Sequence, residues 1–447
     1  MSKHGSGDHF LRQNLKRDYP VIVKGQGHHL WDDQGRQYID GASGGVGAVL
    51  IGHGVPEVIQ AMTEQASKLC HAHISMFVNE PQIRLANMII EEFAPPGMSH
   101  VYFVSTGTES TELAVKLARI YHMQKGRPTR FKMVCRWNGY HGSSLGALSY
   151  SGRSIRRHHF HPYYFNSAFM SSAYCYRCPY DRTYPECGLM CAWELETIIR
   201  REGVNTISAF IGEPFVNTAG ALGAPPEYYG IIREICDKYD ILMIMDEVIT
   251  GWGRTGTKFG INHWGVVPDF ISTGKGIASG YAPLAATLVH EKVVKILEET
   301  GESVEGYTYG GNPLSCATGL AVLKYIKDHG LVERTVEEGA YFQARAKSLM
   351  EFQIVGDVRG RGMLVGVEYV RDRTTKEPFP RARKFCETIT DVAFRKGLIT
   401  CPISGGANGV DGDATAIKPP LTTPRQDLDR IFDIMAEALA EVQKRYL

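Results

Sequence analysis

Apolar and polar positions change rhythm along the chain, and the changes mark its architecture. The first stretches are short. Val21 to Val23, His29 to Asp32 and Gln37 to Asp40 read as strands of a meander, with Gly25 and Gly27 at the first turn and Asp33, Gln34 and Gly35 at the second. A helical pattern runs from Pro56 to Leu69. From about Gln82 short apolar runs alternate with helical ones. Val101 to Val104 reads as a strand and about Glu109 to Gln124 as a helix, with Leu113, Leu117 and Tyr121 on one face and Ala114 and Ala118 beside them. Phe131 to Cys135 and Ile207 to Ile211 read as strands, and Glu227 to Tyr239 as a helix. Ile241 to Met245 is apolar throughout, the pattern of a strand buried on both faces. Phe270 to Ser272 and Leu284 to Val289 read as further strands. This alternation predicts an α/β fold with a mainly parallel sheet and helices on both faces. After about Pro313 the pattern gives one long helix, a strand from Met363 to Tyr369, a helix from about Ala382 to Arg395 and a last helix from about Pro424 to Tyr446. The expected organisation is a large domain over 76–320, a smaller α+β domain over 321–447, and an N-terminal segment over 1–75 that joins the smaller one.

Composition narrows the function classes. With 447 residues, 43% of them apolar, the chain has material for a large core. A net charge of +1 gives no field to attract nucleic acid or an anionic membrane, so the expected partners are small molecules. The first twenty residues hold no signal-peptide core, and no stretch approaches the roughly 18 consecutive apolar residues of a membrane span. The expected location is therefore cytoplasmic, with the ten cysteines reduced.

Ligands of open α/β sheets sit beyond the carboxyl ends of the strands. Three chemistry-bearing groups fall at such ends. Thr106-Gly107-Thr108-Glu109 joins a strand to a helix N-terminus, where free N–H groups and the positive end of the helix dipole suit a phosphate; the same residues also read as a plain helix cap. Asp246 closes the apolar run Ile241 to Met245. A Walker B strand looks similar, but no glycine stands at the position upstream of Gly274-Lys275 that a P-loop requires. Lys275 follows the strand at Phe270, where burial would lower its pKa and expose a nucleophilic amine; a surface lysine in a glycine-rich turn is the ordinary alternative. Lysine, carboxylate and anion cradle together fit pyridoxal phosphate (PLP), which needs a Schiff-base lysine, a carboxylate at the pyridinium nitrogen and a phosphate site.

From about Tyr19 to its C-terminus the sequence resembles the class III (ω-type) aminotransferases, which are fold-type I PLP enzymes. The resemblance rests on Asp246-Glu-Val-Ile-Thr-Gly-Trp-Gly-Arg-Thr-Gly256 with Lys275 beyond it, on Ser105-Thr-Gly-Thr-Glu109, on Trp137-Asn-Gly-Tyr-His-Gly142, on Glu213-Pro214 and on Tyr307-Thr-Tyr-Gly-Gly-Asn-Pro313. It implies that Lys275 holds PLP as a Schiff base and then moves the proton, and that Asp246 pairs with the pyridinium nitrogen. It places Val248 and Tyr140 on the two ring faces, Gly107 and Thr108 at the phosphate, and Glu213 near the cofactor. Thr308 is implied to reach the phosphate of the partner subunit, which makes a homodimer the expected assembly, with a tetramer of dimers left open. The implied reaction is ping-pong transfer of an amino group from an amine or ω-amino donor to a keto acid such as pyruvate. A PLP lyase or decarboxylase on the same scaffold, or a non-catalytic PLP-binding protein, is the alternative.

Two features depart from the family pattern. Many members carry an arginine before the C-terminal Pro-Pro that grips a substrate carboxylate; here Ala416 takes that position, with Lys418 nearby. The expectation drawn from this is an amine donor without an α-amino-acid headgroup. Separately, Cys175-x2-Cys178-x8-Cys187-x3-Cys191 has a spacing that suits a tetrahedral zinc. We read it as a reduced cysteine-rich loop and assign no metal. His158, His159 and His161 read as a solvated loop after Arg156-Arg157.

Overall fold

The computed structural model describes residues 9–304 and 306–446. The first eight residues of the expected N-terminal segment and the last residue of the chain lie outside the described residues.

A seven-stranded sheet forms the centre of the molecule. Its order is Met98–Val104, Ala285–His290, Phe270–Thr273, Leu242–Asp246, Ile207–Gly212, Lys132–Arg136 and Ala168–Met170. All neighbours pair in parallel except Ala285–His290, which is antiparallel to both of its own. The expected mainly parallel α/β sheet is therefore present. Alternate residues along each strand serve two cores, as the two-residue period of a pleated strand requires. Leu242, Ile244, Met133 and Cys135 join Leu113, Ala114, Leu117, Ala118 and Tyr121 of the helix Gly107–Gln124 on one face. Met243, Met245 and Val134 join Ile232, Ile235, Leu195 and Ile199 of the helices Tyr228–Tyr239 and Met190–Glu202 on the other. Burial on both sides explains why Ile241 to Met245 has no polar position to alternate.

A second sheet, Val355–Arg361, Leu364–Tyr369, Asp413–Ile417 and Cys401–Ile403, is antiparallel throughout and packs with the helices Leu331–Lys347 and Phe385–Arg395, against which the helix Arg425–Tyr446 lies. The N-terminal strands Ile22–Gln26, His29–Asp32 and Gln37–Asp40 form a third sheet with Leu398–Ile399, which pairs in parallel with Gln37–Asp40.

Several local expectations are corrected. The long helix after Pro313 is two helices, Pro313–Asp328 and Leu331–Lys347, because Gly330 turns into the left-handed region at φ 55° and restarts the chain. The helix expected from Ala382 begins at Phe385, after a 3-10 turn over Arg381–Arg383 and a left-handed Lys384. The first strand begins at Ile22 rather than Val21 and continues to Gln26. Among the described residues no helix is long and apolar enough to cross a membrane.

Candidate active site

Five strands deliver their C-terminal ends to one place. Gly107 and Thr108 follow Met98–Val104, Tyr140 and His141 follow Lys132–Arg136, and Glu213 follows Ile207–Gly212. Asp246 and Val248 end and follow Leu242–Asp246, and Lys275 follows Phe270–Thr273. Gly107, Thr108, Tyr140, Glu213, Asp246, Val248 and Lys275 all line a single cavity of about 420 Å3. Thr308 does not line it; in this chain it sits exposed in the turn after Tyr307.

Each side chain is held by its local structure. The helix Gly107–Gln124 opens with a capping box: the Thr106 hydroxyl accepts from the Glu109 N–H, and the Glu109 carboxylate accepts from the N–H groups of Ser105 and Thr106 at 2.7 and 3.2 Å. Cap and anion cradle are therefore compatible readings of one turn. The box satisfies the flanking donors, and the N–H groups of Gly107 and Thr108 remain without an i−4 carbonyl. A side chain at Gly107 would meet Val248 Cγ2 at 2.9 Å, so the absence of one lets Val248 close over the cradle.

Asp246 is 5% exposed, and no helix follows it, so it is not a cap. One carboxylate oxygen accepts from the Val248 N–H at 3.0 Å and the other meets His141 Nδ1 at 2.8 Å. His141 is fixed in turn: its N–H donates to Ser151 Oγ, and its carbonyl accepts from the Thr111 hydroxyl. Its Nε2 is enclosed without a partner. Sequence reading passed over His141 although it adjoins Tyr140 in the motif that carried the resemblance.

Lys275 has φ 44°, a left-handed conformation that side chains seldom adopt, directly after the extended Gly274. Burial pulls its amine below the ordinary lysine range; the Lys418 charge adds to this and the Asp246 charge opposes it. It is not the surface lysine of the ordinary alternative. Glu213 accepts from the Tyr140 N–H at 2.9 Å. Its carboxyl is pushed up to about 7 by burial, with the His141 charge opposing and the Asp246 charge adding. Glu247, the neighbour of Asp246, is instead structural: it binds the Thr250 hydroxyl and the N–H groups of Gly260 and Ile261, and ties down the loop that carries Val248.

The cavity also holds two cations that the sequence reading did not single out, Arg153 and Arg156. Arg153 is half-buried with its Nε enclosed and unpartnered, and Arg156 stands exposed at the mouth. Burial and the neighbouring Arg156 hold the Arg153 guanidinium below its usual range. Among the described residues neither has a carboxylate partner. By contrast Ala416 is fully buried in the strand Asp413–Ile417, facing Gly366 and Cys401, and Lys418 is fully buried with its Nζ unpartnered; neither lines the cavity. The expectation of a donor without an acid headgroup rested on a missing cation, and the cavity has cations from another element.

The four loop cysteines grade from exposed Cys175 through half-buried Cys178 and Cys187 to buried Cys191. Burial and the neighbouring sulfurs push the Cys191 thiol up to about 12. Two groups of three candidate metal ligands come within 4.8 Å of one another among the described residues, and none of these cysteines belongs to either. His158, His159 and His161 are exposed on a 3-10 segment.

The family model described as aminotransferase class-III matches residues 13–439. The chain belongs to the class III aminotransferases. It is 37% identical to the diaminobutyrate–2-oxoglutarate transaminase of Halomonas elongata, over 97% of this chain and 93% of that one. It is 32% identical to the putrescine–pyruvate aminotransferase of Pseudomonas aeruginosa, over 97% and 94%. The crystal structure of a thermostable (S)-enantioselective omega-transaminase from Thermomicrobium roseum superposes with a TM-score of 0.91 at 36% identity, covering 97% and 96%. The fold is that of the fold-type I PLP transaminases, and the protein is a transaminase. Class III aminotransferases use PLP.

Proposed function

We propose that this transaminase carries PLP on Lys275 and moves an amino group from an amine or ω-amino donor to a keto acid such as pyruvate, the two substrates entering in turn. The observation that carries the reading is the convergence on one cavity of a depressed lysine amine, a buried carboxylate and a helix N-terminus whose capping box leaves the Gly107 and Thr108 N–H groups free. That donor set fits the cofactor. Its aldehyde needs a neutral amine, its ring nitrogen a carboxylate and its phosphate an anion cradle. When bound, PLP supplies an electron sink for the substrate carbon.

The residues of this chain do the rest. Gly107 and Thr108 offer N–H groups to the phosphate, and Thr108 adds a hydroxyl. Asp246 holds a proton at the ring nitrogen, and the His141 contact at 2.8 Å keeps the carboxylate oriented toward it. Val248 and Tyr140 confine the ring between them. Lys275 takes a proton from the substrate carbon and returns it one atom away, a task that burial favours by holding its amine below the ordinary lysine range. Glu213, protonated over part of the working range, borders the same space. Arg153 and Arg156 receive the acid group of the keto acid. The relatives named for 2-oxoglutarate and for pyruvate both have such acceptors. Thr308 completes the phosphate site of a second subunit, so the active unit is a homodimer.

Visible spectroscopy tests the reading. An amine donor added without keto acid is expected to bleach the cofactor band, and pyruvate to restore it. Catalytic release of ammonia or carbon dioxide without an acceptor would move the reaction to a lyase or decarboxylase. Protein that takes up no PLP would refute the role of Lys275.

A further inference from the structure

Outside the cavity lining, the junction of the first two strands carries adjacent histidines, His28 in the turn and His29 at the start of the second strand. Neighbours in a strand point to opposite faces. Here Gly27 at φ 55° bends the chain, and the two imidazoles come to the same side, with ring centroids 4.2 Å apart. The first turn of the helix Arg425–Tyr446 brings Asp427 against them, with His28 Nε2 2.8 Å from Asp427 Oδ2. One ligand atom from each of the three residues lies within 4.8 Å of the other two. The side chains of His28 and Asp427 are only 14% and 26% exposed, so the set is sheltered yet reachable. Among the described residues the His29 ring has no hydrogen-bond partner, and Asp427 has no ion-pair partner besides His28.

We propose that His28, His29 and Asp427 bind a divalent late-transition cation such as zinc, and that the ion staples the N-terminal hairpin to the C-terminal helix. Two imidazoles and one carboxylate are a recurrent zinc set, with a fourth position left to water. At bond lengths of about 2.0–2.2 Å, tetrahedral ligand atoms stand roughly 3.3 Å apart, so small side-chain rotations close the cage. The second group of three, Cys386, Glu387 and Asp413, is a poorer candidate because the Arg381 guanidinium already binds the Glu387 carboxylate. A helix N-terminus opposes positive charge, so the ion is held weakly and exchanges rather than being buried for the life of the chain.

Untagged, cofactor-loaded protein freed of metal with a chelator and titrated calorimetrically with zinc alone decides the matter. One zinc per chain is expected, with at least about tenfold weaker binding in His29→Gln and Asp427→Asn, since each removes one of three ligands. Binding is expected to be unchanged in Cys175→Ser/Cys178→Ser. Zinc is also expected to raise the thermal midpoint of the wild type and not of His29→Gln. The His29 ring makes no hydrogen bond among the described residues, so its variant folds and tests the site even where Asp427→Asn does not. No binding at millimolar zinc overturns the proposal. So does binding that survives both substitutions, or binding lost only with the cysteines.

Discussion

Replacing Arg153 by Met separates recognition of an acid substrate from every other function of the cavity. The guanidinium is half-buried, its Nε is enclosed without a partner, and no carboxylate among the described residues compensates it. Hydrogen bonds to charged groups contribute about 1.5–3 kcal/mol when they form away from bulk water. Losing that amount corresponds to roughly a 10- to 150-fold drop in kcat/KM for pyruvate or another keto acid. Arg156 is exposed, and a pair made in solvent contributes only about 0.2–1 kcal/mol, so Arg156→Met is expected to cost no more than about fivefold. The loss should appear with keto-acid acceptors and with amino-acid donors, and not in the half-reaction of a plain amine such as putrescine, followed by the cofactor band. The thermal midpoint should hold or rise, because an uncompensated, partly desolvated charge is removed. Stopped-flow half-reactions with each donor and acceptor give these ratios directly. If Arg153→Met changes keto-acid kcat/KM by less than twofold, or lowers plain-amine and keto-acid rates equally, the anion-anchor role is wrong.

Three further outcomes follow from the geometry. Gly107→Ala puts a methyl group 2.9 Å from Val248 Cγ2; overpacking of that kind costs about 1–3 kcal/mol. PLP titration should therefore show retention weakened by roughly tenfold or more, recovered in part by adding Val248→Ala; retention unchanged in Gly107→Ala would place the phosphate elsewhere. The Glu213 carboxyl rises from 4.5 to about 7 on folding. Between those values the folded chain keeps a proton that the unfolded chain has lost, so this group makes stability fall as pH rises through the window. Denaturant melts should show that fall flattened in Glu213→Gln, and an unaltered slope would contradict the burial argument. Finally, sedimentation should give a dimer, and Thr308→Ala should loosen PLP by about fivefold, the loss of one hydrogen bond near 1 kcal/mol; a monomer that holds PLP at wild-type affinity would remove Thr308 from the site.

The seven-stranded sheet was legible because its strands are buried on both faces. An apolar run such as Ile241 to Met245 has one structural meaning when helical patterns flank it, and its end marks the site. What escaped the sequence was polar or short. Val355–Arg361 reads V-G-D-V-R-G-R and carries five polar or glycine positions on a half-exposed strand, so no period stands out. Asp413–Ile417 reads D-A-T-A-I, too small and mixed to announce that every position is buried. Gly330 sat inside a helical pattern, where a lone glycine is tolerated; only its left-handed φ shows that the helix stops. In the site, the residues quoted from recognisable motifs, Thr308 apart, line the cavity, and those outside every motif were not singled out. Arg153 belongs to no motif and meets the cavity only through the fold, whereas His141 stood beside Tyr140 and was within reach.

The proposed anchor role of Arg153 and Arg156 would also let this chain dispense with an arginine before Pro419-Pro420. Ala416 is locked between Gly366 and Cys401 in an antiparallel sheet and is wholly buried. Its methyl group brings no charge to the cavity, which it does not line. The short helix Ser154–Arg157 is a freer support, and its last residue makes it a firm one. Arg157 is 8% exposed, donates to the Leu148 carbonyl at 2.8 Å, and lies over the Tyr164 and Phe169 rings at 4.7 and 4.5 Å. With Arg157 as anchor, the same turn presents Arg153 to the cavity wall and Arg156 to its mouth. On the proposed function, the arginines of this turn divide two tasks, Arg157 holding the element and Arg153 facing substrate, and acid recognition would pass from a rigid strand to a braced turn. A loop can take substitutions that a buried strand cannot, so substrate range in this chain should be tuned at 153–156 and not at 416.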